Sequence, residues 1–415
     1  MRFSFYDRSV FPSFRLSSLL PAALVVGCST DAVNTQTAAI ADSAGITIVT
    51  NTAPASTAGN AWRVADHPTI DIGVVSGDAA YEFFRPLGAV RLSDGRIVVA
   101  NRGTFELRYF DAGGKHLLTA GGEGAGPGEL MDMSWFTRTV GDSMVVYDRR
   151  NHRLSVFDPQ GVYDHSVRLQ TSEFPFMKGR LEDGSYVGHL WRRRQRGAPP
   201  IPAGRGTDSL WVVRYGTDGH MLDTLGTYLR RVRHGNTLDW RGRTIRSAVA
   251  VPFTPITATY VSGDLTFTGT NNVYEIAAQA TDGRVRRLVR KVHTKLPVLH
   301  TDTERFMDSV RILAVGNPEM QWVVAMLDIT PPQDSMPAYE EFTVDSEGNL
   351  WVADARRPNT PTPSWNVFDR EGVWLGRVEG PTGFRVTEIG GDYVLGLWRD
   401  EVEVEHVMLY ALEKG

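Results

Sequence analysis

The sequence predicts an all-β fold built from six repeated units, and three observations support this prediction. Six related segments each contain a Gly- and Asp-rich turn, a β-rich run, a polar loop and a second β-rich run. Further β-rich runs precede and usually follow each segment, which gives four strands per unit. The units recur at intervals of roughly 40 to 85 residues, with few helical patterns. Units too small to bury their own faces stack around an axis, so the sequence predicts a six-bladed β-propeller.

The turns that mark the six units are Ser93–Gly95, Gly141–Asp142, Asp183–Gly184, Ser262–Asp264, Ser346–Gly348 and Gly390–Asp392. Two β-sandwiches, the alternative fold, would not explain a six-fold repeat. The last unit ends after its third strand, whereas residues 62–73 precede the first unit and are β-rich. We expect this N-terminal segment to supply the missing outer strand, so that strands from both termini close the ring.

Residues 119–130, TAGGEGAGPGEL, form a glycine-rich stretch directly after a strand-like run. A dinucleotide-binding loop needs Gly at i, i+2 and i+5, but Pro127 or Glu129 occupies the third position here. No Lys followed by Ser or Thr ends the stretch, as a phosphate-binding P-loop requires. Similar stretches precede the first and last units. We therefore interpret residues 119–130 as a joint between neighbouring blades.

Residues 122–130 (GEGAGPGEL) and 148–161 (DRRNHRLSVFDPQG) together resemble the NHL repeat of six-bladed propellers. The second unit carries this motif in full, and the first and fifth units keep parts of it. From about residue 42 onwards the chain resembles bacterial NHL-like and TolB-like six-bladed propeller lipoproteins. The resemblance implies the fold, whereas propellers host many unrelated functions.

The N-terminus has the features of a targeting segment. Arg2, Arg8 and Arg15 precede an apolar run, residues 16–26, which ends at Gly27 and Cys28. The run resembles a bacterial lipobox, which implies cleavage before Cys28 and lipidation of this single cysteine. The alternative is an ordinary secretory signal with an incidental cysteine. We expect a signal peptide at 1–27, a flexible tether at 28–45 and the propeller at 46–415, with the outer membrane favoured by Ser29.

Three segments depart from the repeat. Residues 192–205 are inserted between the second and third strands of the third unit, and residues 227–250 lie between the third and fourth units. One short helix is expected near residues 302–315, with Thr301 and Glu304 as a capping box, an apolar face that includes Leu313, and an end at Gly316 and Pro318.

The loops that join second to third strands should open on the same face as the joints between blades, and most of them carry Arg. With the 227–250 segment and interleaved Trp, they predict a basic, aromatic binding face for an anionic partner. The candidate residues are Arg102, Arg149, Arg150, Trp191, Arg192, Arg193, Arg194, Arg230, Arg231, Arg233, Trp240, Arg356, Arg357, Trp398 and Arg399. The alternative is a set of ordinary solvated or structural arginines, of which Arg153 is an example.

Motifs of metalloproteases, serine hydrolases, EF-hands and redox cysteines are absent from the sequence. Some propellers are gluconolactonase-like enzymes with an axial metal, and Glu82, Glu340 and Glu341 lie near predicted inner-strand starts. Asp400–Glu405 alternates carboxylates with valines, which predicts a strand with its Glu on one face, either as a cation site or as a solvated edge. His189, in mid-strand, is interpreted as a structural residue.

The sequence thus predicts a lipid-anchored, extracytoplasmic propeller that binds or scaffolds an anionic polymer or a polypeptide of the cell envelope, with no catalytic residue, metal or cofactor. Its net charge of −4 argues against a nucleic-acid partner. A monomer is expected. A metal-dependent hydrolase or lactonase with its site on the axis is the alternative, and a purely structural component of the envelope is a third hypothesis.

Overall fold

The structure, a computed structural model, describes residues 37–55, 61–191, 202–358, 360 and 362–415. Strands dominate it, as the sequence predicts. The first fourteen strands are β1 (Ala38–Ser43), β2 (Ile46–Asn51), β3 (Arg63–Ile72), β4 (Pro86–Arg91), β5 (Ile97–Asn101), β6 (Glu106–Phe110), β7 (His116–Gly121), β8 (Met133–Arg138), β9 (Met144–Asp148), β10 (Arg153–Phe157), β11 (Tyr163–Arg168), β12 (Phe176–Arg180), β13 (Tyr186–Leu190) and β14 (Gly204–Tyr215).

The C-terminal half adds thirteen strands and two helices. They are β15 (Met221–Trp240), β16 (Arg243–Ala250), β17 (Thr257–Ser262), β18 (Leu265–Thr270), β19 (Glu275–Ala280), β20 (Val285–Lys291), α1 (His300–Ala314), α2 (Pro318–Asp328), β21 (Tyr339–Val344), β22 (Leu350–Asp354), β23 (Ser364–Phe368), β24 (Trp374–Glu379), β25 (Arg385–Ile389), β26 (Tyr393–Arg399) and β27 (Glu405–Glu413).

The described strands form six sheets, which we number in chain order. Sheet 1 is β4–β7, sheet 2 is β8–β11, sheet 3 is β12–β16, sheet 4 is β17–β20 with β2 and β1, sheet 5 is β21–β24, and sheet 6 is β25–β27 with β3. All pairings are antiparallel except that of β2 with β20. An all-β chain of mostly four-stranded antiparallel sheets is consistent with a β-propeller.

Hydrophobic clusters lie between consecutive sheets. Sheets 1 and 2 share a core around Leu107 and Met133, and further clusters join sheets 2 to 3, 3 to 4, 4 to 5 and 5 to 6. One more cluster joins sheet 6 to sheet 1 through Leu395 and Val99. The first strands also meet, since β4 lies against β8 and β25, β8 against β12, and β17 against β12 and β21.

The N-terminal strands join sheets formed by distant parts of the chain. β3 pairs with the C-terminal strand β27, as the sequence predicts for residues 62–73. The predicted tether is too long at its C-terminal end, because residues 38–43 form β1, which pairs with β2. β2 in turn extends sheet 4, which satisfies its backbone groups. Residues 28–36 and the signal peptide lie outside the described residues.

The 227–250 segment becomes part of a long hairpin. Its first half extends β15, and β16 adds a fifth strand to sheet 3. The expectation of one helix is wrong, because α2 follows α1 and packs on it. The predicted capping box is also wrong, because the Asp302 carboxylate accepts the Leu299 N–H at 2.9 Å. Leu313, expected on the buried face, is 71% exposed.

The glycine-rich stretch at 119–130 connects β7 to β8, as predicted for a joint between blades. Arg153 fixes its shape, since its guanidinium donates to the carbonyls of Ala125, Gly126 and Glu129 at 3.1, 2.8 and 2.7 Å. Gly124 adopts φ of 156°, which a residue with a Cβ rarely reaches. The stretch is therefore a structural joint folded around one arginine.

Polar side chains at the ends of second strands hold the segments that lead into the first strands. The Asn101 Oδ1 accepts the Phe84 N–H at 2.9 Å. In sheet 2, the Asp148 carboxylate accepts the Asp132 N–H at 3.0 Å, and Asn271 plays the same part in sheet 4. These contacts fix the segments from which β4, β8 and β17 begin.

Candidate functional site

Three connected cavities open on one side of the molecule. We call this side the entry face; it carries the first residues of the six first strands, Pro86, Met133, Phe176, Thr257, Tyr339 and Arg385. The largest cavity, about 710 Å³, is lined by residues of β8, β12, β17, β21 and β25, and we call it the axial cavity. Because five sheets contribute their first strands to it, this cavity lies where the sheets converge.

Two cavities of about 450 Å³ each adjoin the axial cavity. One lies between sheets 6 and 1 and shares Gly383 and Arg385 with it, and we call it the 6/1 cavity. The other lies between sheets 4 and 5 and shares Glu340 and Arg356 with the axial cavity. The three cavities therefore adjoin one another on the entry face, and we call them together the depression.

Charged groups line this depression, with basic ones in excess. The seven basic and three acidic side chains are Arg85, Arg102, Lys178, Arg356, Arg357, Arg385, Arg399, Glu340, Glu341 and Glu405. Three of the basic side chains, Arg85, Lys178 and Arg385, form no ion pair within the described residues and leave positive charge uncompensated on this face. Such a concentration attracts anionic groups.

Lys178 and Arg385 carry desolvated charges in the axial cavity. Burial lowers the pKa of Lys178, and the Glu341 carboxylate partly offsets this effect. Burial also lowers the pKa of Arg385, against the opposing effects of Glu341 and Glu405. Lys178 forms no ion pair within the described residues. A lowered pKa for a cation means that the site lacks enough negative charge to stabilise it.

Aromatic side chains form the walls of the axial cavity. Trp135, Tyr260, Trp365 and Phe384 all line it. Trp365 and Phe384 also belong to the core between sheets 5 and 6, so their positions are fixed by packing. Rigid aromatic walls with a few charged groups are typical of ligand-binding cavities.

Most of the predicted arginines are already paired with carboxylates. Asp132 binds Arg102 at 3.2 Å and Arg149 at 2.7 Å. The other pairs are Arg230 and Arg233 with Asp208, Arg356 with Glu340, Arg357 with Asp302, and Arg399 with Glu403 and Glu405. Pairing neutralises these charges, so much of the predicted basic face is a network of ion pairs.

Trp191 lies in a stack at the edge of sheet 3. Its ring is 4.3 Å from that of Phe176, at an interplanar angle of 20°, and the Arg230 guanidinium lies 4.0 Å from its centre. Arg149 approaches the Phe176 ring at 5.7 Å. The stack joins sheets 2 and 3.

The remaining predicted residues are dispersed. Arg231 and Trp240 lie on β15, where Trp240 contacts Arg241, and Arg150 is exposed in the β9–β10 loop. Trp398 packs edge-on against His406 at 5.6 Å. Arg192, Arg193, Arg194 and Cys28 lie outside the described residues. Of the fifteen predicted binding residues, Arg102, Arg356, Arg357, Trp398 and Arg399 line the three cavities.

The acidic candidates do not assemble into a cluster. Within the described part of the chain, no three His, Cys, Asp or Glu side chains are grouped so as to hold a metal ion. Both oxygens of Glu340 are held by Arg356, at 2.9 to 3.2 Å. The predicted strand at Asp400–Glu405 is instead mainly a turn, in which Glu403 adopts φ of 68° and Arg399 gathers Glu403 and Glu405.

Sequence reasoning missed Arg85, Trp135, Lys178 and Arg385 as lining residues. They lie in or next to first strands. The sequence repeat predicts where these strands begin, but it does not indicate which of their side chains line the cavities. His189, interpreted as structural, is 4% exposed on β13. Burial and the nearby Lys178 lower its pKa to about 3.

No family model matches the chain, and no curated protein matches it. Similar solved structures include a candidate exported protein from Bacteroides fragilis, at 13% identity and a TM-score of 0.49, covering 89% of this chain and 99% of that one. A member of the DUF4221 family from Bacteroides vulgatus has 9% identity and a TM-score of 0.48, covering 86% and 99%. Virginiamycin B lyase from Staphylococcus aureus has 9% identity and a TM-score of 0.40, covering 84% and 99%. Likenesses this weak assign neither a family nor an activity to this chain.

Proposed function

We propose that the protein is a lipid-anchored, extracytoplasmic six-bladed β-propeller that binds an acidic polypeptide partner of the cell envelope through its entry face. The observation that carries the proposal is the set of three adjoining cavities, aromatic-walled at the centre, in which Arg85, Lys178 and Arg385 form no ion pair within the described residues.

Six blades in a closed ring account for the packing of the sheets. Each sheet shares a hydrophobic cluster with the next, and sheet 6 shares one with sheet 1. The pairing of β3 with β27 joins the N-terminal and C-terminal strands in one blade. Ring closure of this kind leaves no open seam between the first and last blades.

The anchor rests on the sequence alone, on the basic, apolar and small-residue order that ends at Cys28. Within the described residues, no helix is long and apolar enough to cross a bilayer. Replacing Cys28 with Ser should abolish the incorporation of labelled palmitate into the protein. Labelling of the Cys28→Ser variant to the wild-type level would overturn the anchor.

A polypeptide fits the depression better than a uniformly anionic polymer. Glu341 and Glu405 lie among the arginines, and Trp135 and Trp365 provide apolar walls. Mixed charges beside fixed aromatic rings match a peptide that carries acidic and apolar side chains. A polyanion would leave the acidic and aromatic groups without favourable contacts.

The test is capture of envelope components by the purified full chain, with the double variant Lys178→Gln/Glu341→Gln and the control Arg284→Gln. Arg284 is an exposed arginine in the β19–β20 turn, away from the three cavities. We expect a protein band that the wild type and the control capture and the double variant does not. A band that all three retain, or an acidic polysaccharide in place of a protein, would contradict the proposal.

A metal-dependent hydrolase or lactonase is the second candidate, because Glu340 and Glu341 are adjacent carboxylates in the axial cavity. Calorimetric titration with Ca²⁺ tests it. Ca²⁺ binding to the wild type that is lost in Glu341→Gln would favour the metal-dependent hydrolase. If the wild type does not bind Ca²⁺, the hydrolase hypothesis loses the metal it requires.

A further inference from the structure

The 6/1 cavity contains an arginine whose backbone is held in an unfavourable conformation. Arg85 has φ of 54°, in the left-handed region, and it directly precedes Pro86. Left-handed backbone is disfavoured for residues with a Cβ, and proline further restricts the residue before it. Backbone strain of this kind persists only where the surrounding structure enforces it, and it is common at binding sites.

Three hydrogen bonds enforce the conformation of Arg85. The Phe84 N–H donates to Asn101 Oδ1 at 2.9 Å, and the Phe84 carbonyl accepts the Gly103 N–H at 2.8 Å. The Arg85 N–H donates to Glu405 Oε2 at 2.6 Å. A Cβ on Gly103 would overlap the Phe84 carbonyl and ring, so only glycine permits this approach. The segment before β4 is thus fixed from both sheet 1 and sheet 6.

The guanidinium of Arg85, in contrast, has no hydrogen-bond or ion-pair partner within the described residues. It is exposed and lines the 6/1 cavity. Arg385, across the same cavity, uses one nitrogen, Nη2, which donates to the carbonyls of Pro86 and Leu87 at 3.4 and 3.2 Å. Within the described part of the chain, the Arg85 guanidinium and the remaining N–H groups of Arg385 therefore have no hydrogen-bond partner.

Glu405, the one carboxylate among the described residues that line the cavity, is already engaged. Glu405 accepts from Arg399 at 2.7 Å through Oε1 and from the Arg85 N–H through Oε2. Its side chain is 15% exposed. The lowered pKa of Arg385, which burial causes, agrees with a shortage of negative charge at this point. An incoming anion would supply it.

The apolar part of the cavity wall is formed by Pro86, Leu87, Leu397 and Trp398. A volume of about 450 Å³ is larger than a single ion needs. The cavity therefore fits an anionic group that is attached to an apolar body.

We propose that the 6/1 cavity is a carboxylate-binding subsite, in which Arg85 and Arg385 receive an acidic side chain or the C-terminal carboxylate of the bound polypeptide and Trp398 and Leu397 contact its apolar part. This inference deepens the proposed function and rests on it for the identity of the ligand. Arginine binds carboxylates through paired N–H donors, which lysine does not reproduce. The strained backbone of Arg85 fixes the point from which this side chain leaves the main chain at the cavity.

Calorimetric titration of the purified full chain with N-acetyl-phenylalanine tests the subsite without the partner. We expect saturable binding, at least tenfold weaker binding of N-acetyl-phenylalanine amide, and at least tenfold weaker binding of the acid to Arg85→Gln. Arg85→Lys should fall between wild type and Arg85→Gln, and the control Arg284→Gln should bind as wild type does. Equal affinity for acid and amide, or wild-type affinity in Arg85→Gln, would overturn the proposal. Tighter binding of phenyl phosphate than of the acid would overturn the choice of carboxylate.

Folding of the variants is checked by thermal unfolding. Arg85→Gln removes no hydrogen bond of the described chain, so its Tm should stay within a degree or two of the wild-type value. The two proposals fail separately. Absence of saturable probe binding to the wild type, with capture intact, would overturn the subsite alone, whereas capture insensitive to Lys178→Gln/Glu341→Gln would overturn the proposed function and leave the probe result standing.

Discussion

Arg153 and Arg85 both lie beside a segment that leads into a first strand, and they are used in opposite ways. The guanidinium of Arg153 donates to three backbone carbonyls of the glycine-rich joint. That of Arg85 has no partner within the described residues, although its own backbone is held by Glu405. The number of arginines on a face therefore does not locate a binding site, whereas the hydrogen-bond and ion-pair partners of each arginine do.

Among the variants considered, the loss of stability should be largest when Arg153 is replaced. Arg153→Ala should lower the free energy of unfolding by about 3 kcal/mol, because three charge-assisted hydrogen bonds are lost together. Chemical denaturation measures this change. The exposed neighbour variant Arg150→Ala should change stability by less than about 0.5 kcal/mol. Similar losses of unfolding free energy for Arg153→Ala and Arg150→Ala would contradict a structural role for Arg153.

Gly103→Ala should disturb the segment before β4 that contains Arg85. The added Cβ would collide with Phe84, so we expect a loss of about 2 kcal/mol together with weaker binding of N-acetyl-phenylalanine. Gly206→Ala is the matched control, because a Cβ there meets no atom within 4 Å. Normal probe binding by Gly103→Ala would show that the shape of the segment before β4 is unimportant.

His189, a buried histidine whose Nε2 has no hydrogen-bond partner within the described residues, should make the stability of the protein depend on pH. The folded-state pKa of His189 is lowered to about 3, mainly by burial. The unfolded chain therefore binds a proton below about pH 6.5, where the folded chain does not, and stability falls as the pH falls. Between about pH 7.5 and 5.5 the wild type should lose about 1.4 kcal/mol more than His189→Gln. Urea unfolding at each pH measures the free energy of unfolding of both proteins. Equal losses in the wild type and His189→Gln would contradict the burial of a neutral imidazole at His189.

The smallest expected effect is a gain in stability. Arg85→Gly should raise the free energy of unfolding by about 1 kcal/mol, because glycine adopts the left-handed conformation without strain. Arg85→Ala keeps the Cβ and should show no such gain. Both variants should lose probe binding. A destabilised Arg85→Gly would mean that the backbone conformation is not strained.

The repeated strands and joints could be predicted from the sequence because their signals are local. Gly- and Asp-rich turns, and the glycines of residues 119–130, require particular backbone angles that few other residues supply. The local errors are also physical. α1 ends at Ala314, before Gly316 and Pro318 as predicted, but the sequence did not predict α2, which begins at Pro318 because proline is well accepted in the first turn of a helix. Asp400–Glu405 alternated like a strand, but Arg399 draws two of its carboxylates together across a turn.

The site could be predicted only in part, because its residues come together through the arrangement of the sheets. Arg85 and Arg385 are distant in sequence and meet between sheets 1 and 6. The sequence identified arginine-rich loops but carried no signal for the carboxylates that neutralise them, such as Asp132 and Glu340. The unusual backbone of Arg85 has no sequence signature beyond the proline that follows it.

The most direct test of the central claim compares a paired and an unpaired arginine of the same face in one titration. N-acetyl-phenylalanine is titrated into the wild type, Arg85→Gln and Arg149→Gln, since Arg149 is bound by Asp132 and lines none of the three cavities. We predict at least a tenfold loss of affinity for Arg85→Gln and wild-type affinity for Arg149→Gln. Equal losses in the two variants, or a loss confined to Arg149→Gln, would contradict the claim that the unpaired arginine binds the ligand.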